Sequence, residues 1–226
     1  MKKFYIEPLP NCDVSKLSGK LIVLEGADGS GRSTQITRLK TWLEEQGYAV
    51  VDVGIRRSQL VGPELDKARE GNILGPTTMS LFYATDFMDQ LENIMIPALR
   101  AGFIVLADRY IYTLMARDIV RGADPEWIRY VYGVSIVPDA VFYLKVSPKK
   151  LIERRWQKAD AMDYWESGMD LGLSRDWITS FMIYQKRLNN VFIKLQKMYG
   201  FTIVNGNKSM KSITEELVEK IKPILS

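Results

Sequence analysis

An α/β fold around a parallel sheet is what this sequence predicts, and three observations predict it. Five short apolar runs rich in β-branched or aromatic residues recur along the chain: Lys20–Glu25, Ala49–Val53, Phe103–Ala107, Ala140–Val146 and Phe201–Val204. Their near-continuous apolar character is that of strands covered on both faces. Between them lie stretches of helical periodicity, so strands alternate with helices as in a doubly wound domain. The first run ends in a glycine-rich turn that leads directly into an amphipathic stretch.

The helical patterns are Ser33–Gln46, Pro63–Glu70, Thr77–Arg100, Tyr112–Val120, Pro125–Ser135, Pro148–Ala159, Ser174–Tyr199 and Ser209–Ile224. Pro97 predicts an early stop or a kink in the third, because proline lacks the N–H that a helix interior needs. Asp160–Ser174 is less periodic and holds Gly168 and Gly172, which reads as a mobile lid, or else as an ordered surface loop. No internal repeat and no low-complexity linker interrupts the chain. Residues 20–226 read as one domain, with residues 1–19 as an N-terminal extension.

Composition narrows the function classes. With 226 residues and 46% apolar content, a single well-buried core is expected. The net charge of +4 and the isoelectric point near 9.0 suit a phosphate-rich ligand. The basic residues are spread along the chain, so no nucleic-acid partner is predicted. Cys12 is the only cysteine and histidine is absent, which excludes an internal disulfide, a Cys/His metal cluster and a histidine general base. No apolar run approaches the roughly 20 residues of a membrane span, and Met1–Ser18 lacks the apolar stretch of a signal peptide. A cytoplasmic protein without membrane association is expected.

The chemistry starts at Gly26-Ala27-Asp28-Gly29-Ser30-Gly31-Arg32-Ser33-Thr34. This is the G-x-x-x-x-G-K-[ST] spacing of a phosphate-binding loop between strand and helix, with Arg32 in the lysine position. Glycines let the backbone curl so that successive N–H groups face one anion, and the helix N-terminus adds partial positive charge. Arg32 keeps the cation, with a bulkier planar fork that matches phosphate oxygens. The Ser33 hydroxyl is a candidate magnesium ligand. A second constellation follows the third run, where an apolar strand ends in Asp108-Arg109-Tyr110. A carboxylate there can hold magnesium through water, at the carboxyl edge of the sheet where ligands bind.

With these motifs the sequence resembles the thymidylate kinase family. Gly26 to Gln35, Asp108-Arg109-Tyr110, and Leu81-Phe-Tyr-Ala-Thr-Asp86 followed by Ile96-Pro-Ala-Leu-Arg-Ala-Gly102 fall in the family's order and spacing. The resemblance implies a P-loop nucleotide kinase fold with a five-stranded parallel sheet, a lid at about residues 160–175, ATP and magnesium, a nucleoside monophosphate acceptor and a homodimer. It further implies that Gly26, Asp28, Gly29, Ser30, Gly31, Arg32, Ser33, Thr34, Arg154 and Asn205 bind ATP. Asp28, Arg57, Tyr83, Phe87 and Arg109 would bind the acceptor, Tyr83 by stacking on its base. Arg32, Arg109 and Asp28 would be catalytic, and Ser33 and Asp108 would hold magnesium.

Four positions depart from the family pattern. Phe87 stands where an arginine normally helps hold the thymine, and Arg56 where a carboxylate is common. Asp118 takes the place of a frequent neutral residue, and Tyr164 that of a lid arginine, which leaves Arg175 as the only arginine of that stretch. The phosphate machinery is thus better kept than the base pocket. The expected activity is an ATP-dependent nucleoside monophosphate kinase, thymidylate kinase foremost. A kinase of the same fold with a different phosphorylated acceptor, and a nucleotide-binding regulatory protein without transfer, are the open alternatives.

Overall fold

The computed structural model describes residues 2–71, 74–157 and 163–225. Five parallel strands form one sheet: β1 Lys20–Gly26, β2 Val50–Gly54, β3 Ile104–Asp108, β4 Ala140–Lys145 and β5 Thr202–Asn205, in spatial order β2-β3-β1-β4-β5. The helices are α1 Arg32–Glu45, α2 Gly62–Gly71, α3 Pro76–Gln90, α4 Ile96–Arg100, α5 Ile111–Val120, α6 Pro125–Val131, α7 Pro148–Gln157, α8 Trp177–Tyr199 and α9 Met210–Leu225.

Strand alternation divides the core in two. Leu21 and Val23 of β1 point to one face with Val53, Val105, Val141 and Tyr143, where α3, α4, α5 and α8 cover them. Ile22 and Leu24 point to the other with Ile104, Leu106, Phe142, Leu144 and Val204, against Ile36, Leu39 and Leu43 of α1 and Ile213, Leu217 and Ile221 of α9. Burial of each such side chain contributes about 1.5–3 kcal/mol. Both faces being buried explains why the central strands β1, β3 and β4 read as nearly continuous apolar runs rather than alternating.

Several boundaries differ from the sequence pattern, each for a local reason. Thr77–Arg100 is not one regular helix: a π-helical turn, Leu91–Met95, joins α3 to α4 just ahead of Pro97. The proline cannot donate into a regular register, and the wider turn absorbs the mismatch. The helix expected from Ser174 starts at Trp177, because the Asp176 carboxylate accepts the Thr179 N–H at 2.8 Å and caps it there. The helix expected to reach Ser135 ends at Val131, and the Tyr132 carbonyl takes up the Ser135 N–H and hydroxyl instead.

The segment before β1 is packed onto the domain. Phe4 is buried and pairs antiparallel with Ile136, and the Tyr5 ring meets Tyr199 edge-on at 5.1 Å. Among the described residues no helix is long and apolar enough to cross a membrane.

Two features of the sheet build the site. All strands end at the same edge, and β1 lies between β3 and β4, which opens a crevice where the chain leaves to either side. The β1–β3 register pairs Leu24 with Asp108, so the acid that ends β3 lies beside the glycine loop that follows β1.

Candidate active site

The loop after β1 needs its glycines. Gly26 has φ +152°, and a Cβ there would lie 2.9 Å from Ser30 Oγ and 3.0 Å from the Leu144 carbonyl. Gly29 and Gly31 are left-handed, with φ of 79° and 95°. A Cβ on Gly31 would meet the flexible Met210 side chain at 2.8 Å, so backbone strain more than collision excludes other residues there. Gly31 caps α1 without a side-chain hydrogen bond. The first N–H groups of α1 are then left to an anion.

Arg32, expected over ATP phosphates, is folded back across the loop. Its Nε donates to Asp108 Oδ1 at 2.8 Å, and its Nη1 donates to the carbonyls of Gly26 and, at 2.7 Å, Ala27. The other oxygen of Asp108 accepts the Ser33 hydroxyl at 2.8 Å, and Arg57 Nη2 stands 3.7 Å from it. Burial pushes the Asp108 carboxyl up, but the charge and hydrogen bond of Arg32, with Arg109 and Ser33, outweigh this and hold it below the usual carboxylate range. Ser33 and Asp108, the expected magnesium pair, are thus brought together.

On the opposite wall, Asp28 lies between two guanidiniums: Oδ1 accepts from Arg109 Nη2, and Oδ2 from Arg117 Nη2 at 3.0 Å. Burial alone would raise the Asp28 pKa, and Arg109, Arg117 and Arg32 pull it far below the ordinary value. Arg109 itself is left-handed, with φ 73°. Its N–H bonds to the Leu24 carbonyl at 2.9 Å, and the next N–H, of Tyr110, bonds to Glu25 Oε1 at 2.9 Å. Glu25 is fully buried and also accepts the Thr113 N–H at 3.2 Å and its hydroxyl, so it anchors the start of α5 to the end of β1. None of the sequence motifs singles out Glu25. Its one signal is an acid inside an otherwise apolar strand.

Arg57 stands at the mouth of the crevice, half exposed, and donates to Asp52 at 2.7 Å. Its loop is pinned by buried Asp86, which accepts the N–H groups of Arg56 and Ser58 at 2.7 and 2.9 Å. The Arg56 side chain turns away to Asp66. Arg154 joins the two ends of the ATP-side loop set, donating to the Ser30 carbonyl at 2.9 Å and the Gly206 carbonyl at 2.8 Å. Asn205, one residue earlier, uses its side chain to accept the Asn207 N–H at 3.0 Å. Thr34 is exposed on the first turn of α1.

Tyr83, Arg117, Asp118, Arg69 and Trp165 line a cavity of about 30 Å³ next to this wall. Asp118 accepts the Ser80 hydroxyl at 2.6 Å, and burial pushes its carboxyl up to about 6 in spite of that bond and of Arg121 and Arg117. Phe87 is not part of this cluster. It sits in the core with its ring edge-on to Tyr110 at 5.1 Å and Tyr132 at 5.8 Å. Of the expected lid, residues 160–162 lie outside the described residues. Residues 163–172 are packed down: Arg121 holds Asp170 at 2.8 Å and the Trp165 carbonyl at 2.9 Å, Arg69 pairs with Asp163 at 3.0 Å, and Trp165 Nε1 donates to the Arg69 carbonyl. Arg175 is exposed beyond them.

Anion-binding groups on two walls of one crevice are what a phosphoryl donor and a phosphorylated acceptor need in order to meet. On a sheet of this order they define a P-loop kinase of a small phosphorylated molecule. Comparison with known proteins narrows the class. The family profile Thymidylate kinase matches residues 24–217. The chain is 34% identical to the "Probable thymidylate kinase 2" of Saccharolobus solfataricus over 198 residues, 87% of this chain and 92% of the relative. It is 30% identical to the "Thymidylate kinase" of Caldicellulosiruptor saccharolyticus, covering 92% of this chain and 97% of the relative. With the "Probable thymidylate kinase" of Pyrococcus abyssi it shares 28% identity over 91% and 97%. The chain belongs to the thymidylate kinase family, whose members are phosphotransferases that phosphorylate thymidine monophosphate with ATP.

The raised pKa of Asp118 has a measurable consequence. A carboxyl that holds its proton more tightly when folded contributes stability that is present below about pH 4 and lost as pH rises through about 6. In Asp118→Asn this loss disappears. The stability difference between variant and wild type should therefore grow by on the order of 2–3 kcal/mol between pH 4 and pH 7.5. Thermal unfolding across that range measures it, and a difference independent of pH would contradict the assignment.

Proposed function

We propose that this chain transfers the γ-phosphoryl group of ATP to thymidine monophosphate, with the donor on the Gly26–Thr34 loop and the acceptor on the Asp28–Arg109 wall. The observation that carries this reading is the pairing of Asp28 with Arg109 across from the Ser33–Asp108 pair, around one loop. Such transfer needs little covalent help. It needs the acceptor oxygen in line with the γ-phosphate, and positive charge on the oxygens that gain density.

In this reading the loop N–H groups hold the ATP phosphates, while Arg154 and Asn205 border the nucleoside end. Arg32 leaves Asp108 and the loop carbonyls and turns its fork to the β and γ oxygens. Magnesium fits the site: Ser33 and Asp108 offer hard oxygen donors 2.8 Å apart. Among the described residues no group of three or more acidic, His or Cys side chains would hold a metal alone, so ATP phosphates and water would complete its shell. An ion held there by Ser33 and Asp108 would supply positive charge to the donor phosphates. Arg57 and Arg109 hold the acceptor phosphate and offset its repulsion from ATP. That phosphate is already ionised near neutral pH, so a chain without histidine lacks no base. Tyr83 supports the base, and the packed 163–172 segment keeps water from the γ-phosphate. The family resemblance supports a homodimer, and the want of a membrane-length apolar run in the sequence is consistent with a cytoplasmic setting.

The Arg32–Asp108 pair favours a second reading, in which the loop binds nucleotide without transferring from it. Steady-state kinetics with thymidine, uridine and deoxycytidine monophosphates, beside ATP hydrolysis without acceptor, separate the two. Transfer to thymidine monophosphate is expected, above transfer to the other two. ATP binding without transfer to any of the three would establish the second reading.

Arg109→Ala tests the acceptor assignment. It should weaken the acceptor by roughly 2–5 kcal/mol, the usual cost of removing one partner of a charged pair in a dry site, and leave the ATP constant far less affected. Equal shifts in both KM values would remove Arg109 from the acceptor side.

A further inference from the structure

Arg–carboxylate pairs prefer two parallel N–H···O bonds, the fork of the guanidinium matching both oxygens. Asp28 and Arg109 do not pair that way. Arg109 reaches Asp28 through Nη2 alone, because Oδ2 is taken by Arg117 Nη2 at 3.0 Å. The Nε of Arg109 is buried and makes no hydrogen bond. All three side chains are largely closed to water, with 18, 10 and 15% of Asp28, Arg109 and Arg117 exposed. A buried guanidinium nitrogen without an acceptor is costly, and here it belongs to the arginine that the proposed function assigns to the acceptor phosphate.

We propose that Arg117 is a positioning residue of the acceptor site: by holding the second oxygen of Asp28, it keeps Asp28 from engaging both arms of Arg109 and leaves Arg109 free for the acceptor phosphate. This rests on the functional reading above. The charges facing the group support it. Arg32 is paired with Asp108 at 2.8 Å, and Asp52 takes both Arg57 at 2.7 Å and Lys40 at 3.0 Å. Glu166 adds a negative charge that acts on both Arg109 and Arg117. Without Arg117, Oδ2 of Asp28 would be open to the second arm of Arg109, and the acceptor phosphate would have to compete with that carboxylate for the guanidinium.

Arg117 lies on α5, eight residues beyond Arg109, and its other side lines the Tyr83 cavity. In this role it serves the phosphate end of the acceptor and not the base. A nucleoside without phosphate separates these roles, because it fills the base pocket and leaves the phosphate contacts unmade.

The experiment is isothermal titration of thymidine monophosphate, thymidine and ATP into the wild type, Arg117→Met, Arg117→Lys, Asp28→Asn and the Asp28→Asn/Arg117→Met double variant, with thermal unfolding of each. Arg117→Met should lose on the order of tenfold or more in monophosphate affinity while thymidine and ATP change by less than about twofold. Arg117→Lys should recover part of the loss, and it keeps the test alive if the methionine variant does not fold. The double variant should bind the monophosphate better than Arg117→Met, since a neutral residue 28 no longer competes for Arg109. Equal loss of thymidine and its monophosphate would overturn the inference, as would a double variant no better than the single one. A wild type that phosphorylates another monophosphate in preference overturns the thymidine reading alone, and the same variants are then compared on that acceptor. A wild type that transfers to none overturns both.

Discussion

The site hangs on one carboxylate. Asp108 ends β3 beside Leu24 of β1, and from there it takes Arg32 on one oxygen and Ser33 on the other. These two residues open α1, so a single side chain ties the first turn of that helix to the neighbouring strand. The backbone at the same point turns left-handed at Arg109, and Glu25 receives the next N–H. Donor loop and acceptor wall are therefore fixed to each other through the β1–β3 register. A slip of one residue would point Asp108 to the opposite face and take both apart.

Arginine in place of the usual loop lysine fits this arrangement. A lysine ammonium is a compact point charge, whereas the guanidinium of Arg32 reaches a carboxylate through Nε and two loop carbonyls through Nη1. Its fork neutralises Asp108 and satisfies carbonyls that the curled loop turns inward. The same bonds must be given up for Arg32 to serve a phosphate. A charge-assisted bond exchanged for another of its kind costs little net free energy, provided that the phosphate arrives as the carboxylate is released.

Much of this was legible in the sequence. Strands buried on both faces announce themselves as apolar runs, and the glycine loop and Asp108-Arg109 are short local patterns set by backbone geometry. What stayed hidden depends on contacts between distant segments. Asp28 and Arg117 are 89 residues apart, and nothing in either neighbourhood signals the other. Asp86 could be matched to a family motif, yet its work, holding the loop that carries Arg57, shows only once α3 lies against β2. Phe87 occupies an arginine's place in the family pattern, which suggests a base contact. Packed between Tyr110 and Tyr132, an aromatic ring there belongs to the core.

Local rules are broken where the chemistry is expected. Of the three non-glycine residues in left-handed backbone among the described residues, Arg109 follows directly on β3 and Arg56 lies two residues beyond β2. Asp118 keeps a buried carboxyl at about 6; Arg69 and Arg109 each bury a guanidinium Nε without a partner on the acceptor wall, and Arg129 Nε and Tyr132 Oη at the end of α6 are likewise buried without one. Among the described residues, the face of the sheet under α1 and α9 carries none of these costs: its core is Ile, Leu, Phe and Val. Strain and uncompensated polarity lower stability wherever they occur, and a fold retains them where a ligand supplies the missing partner. For the Arg69 and Arg109 nitrogens on the acceptor wall, the partner that fits is an anion.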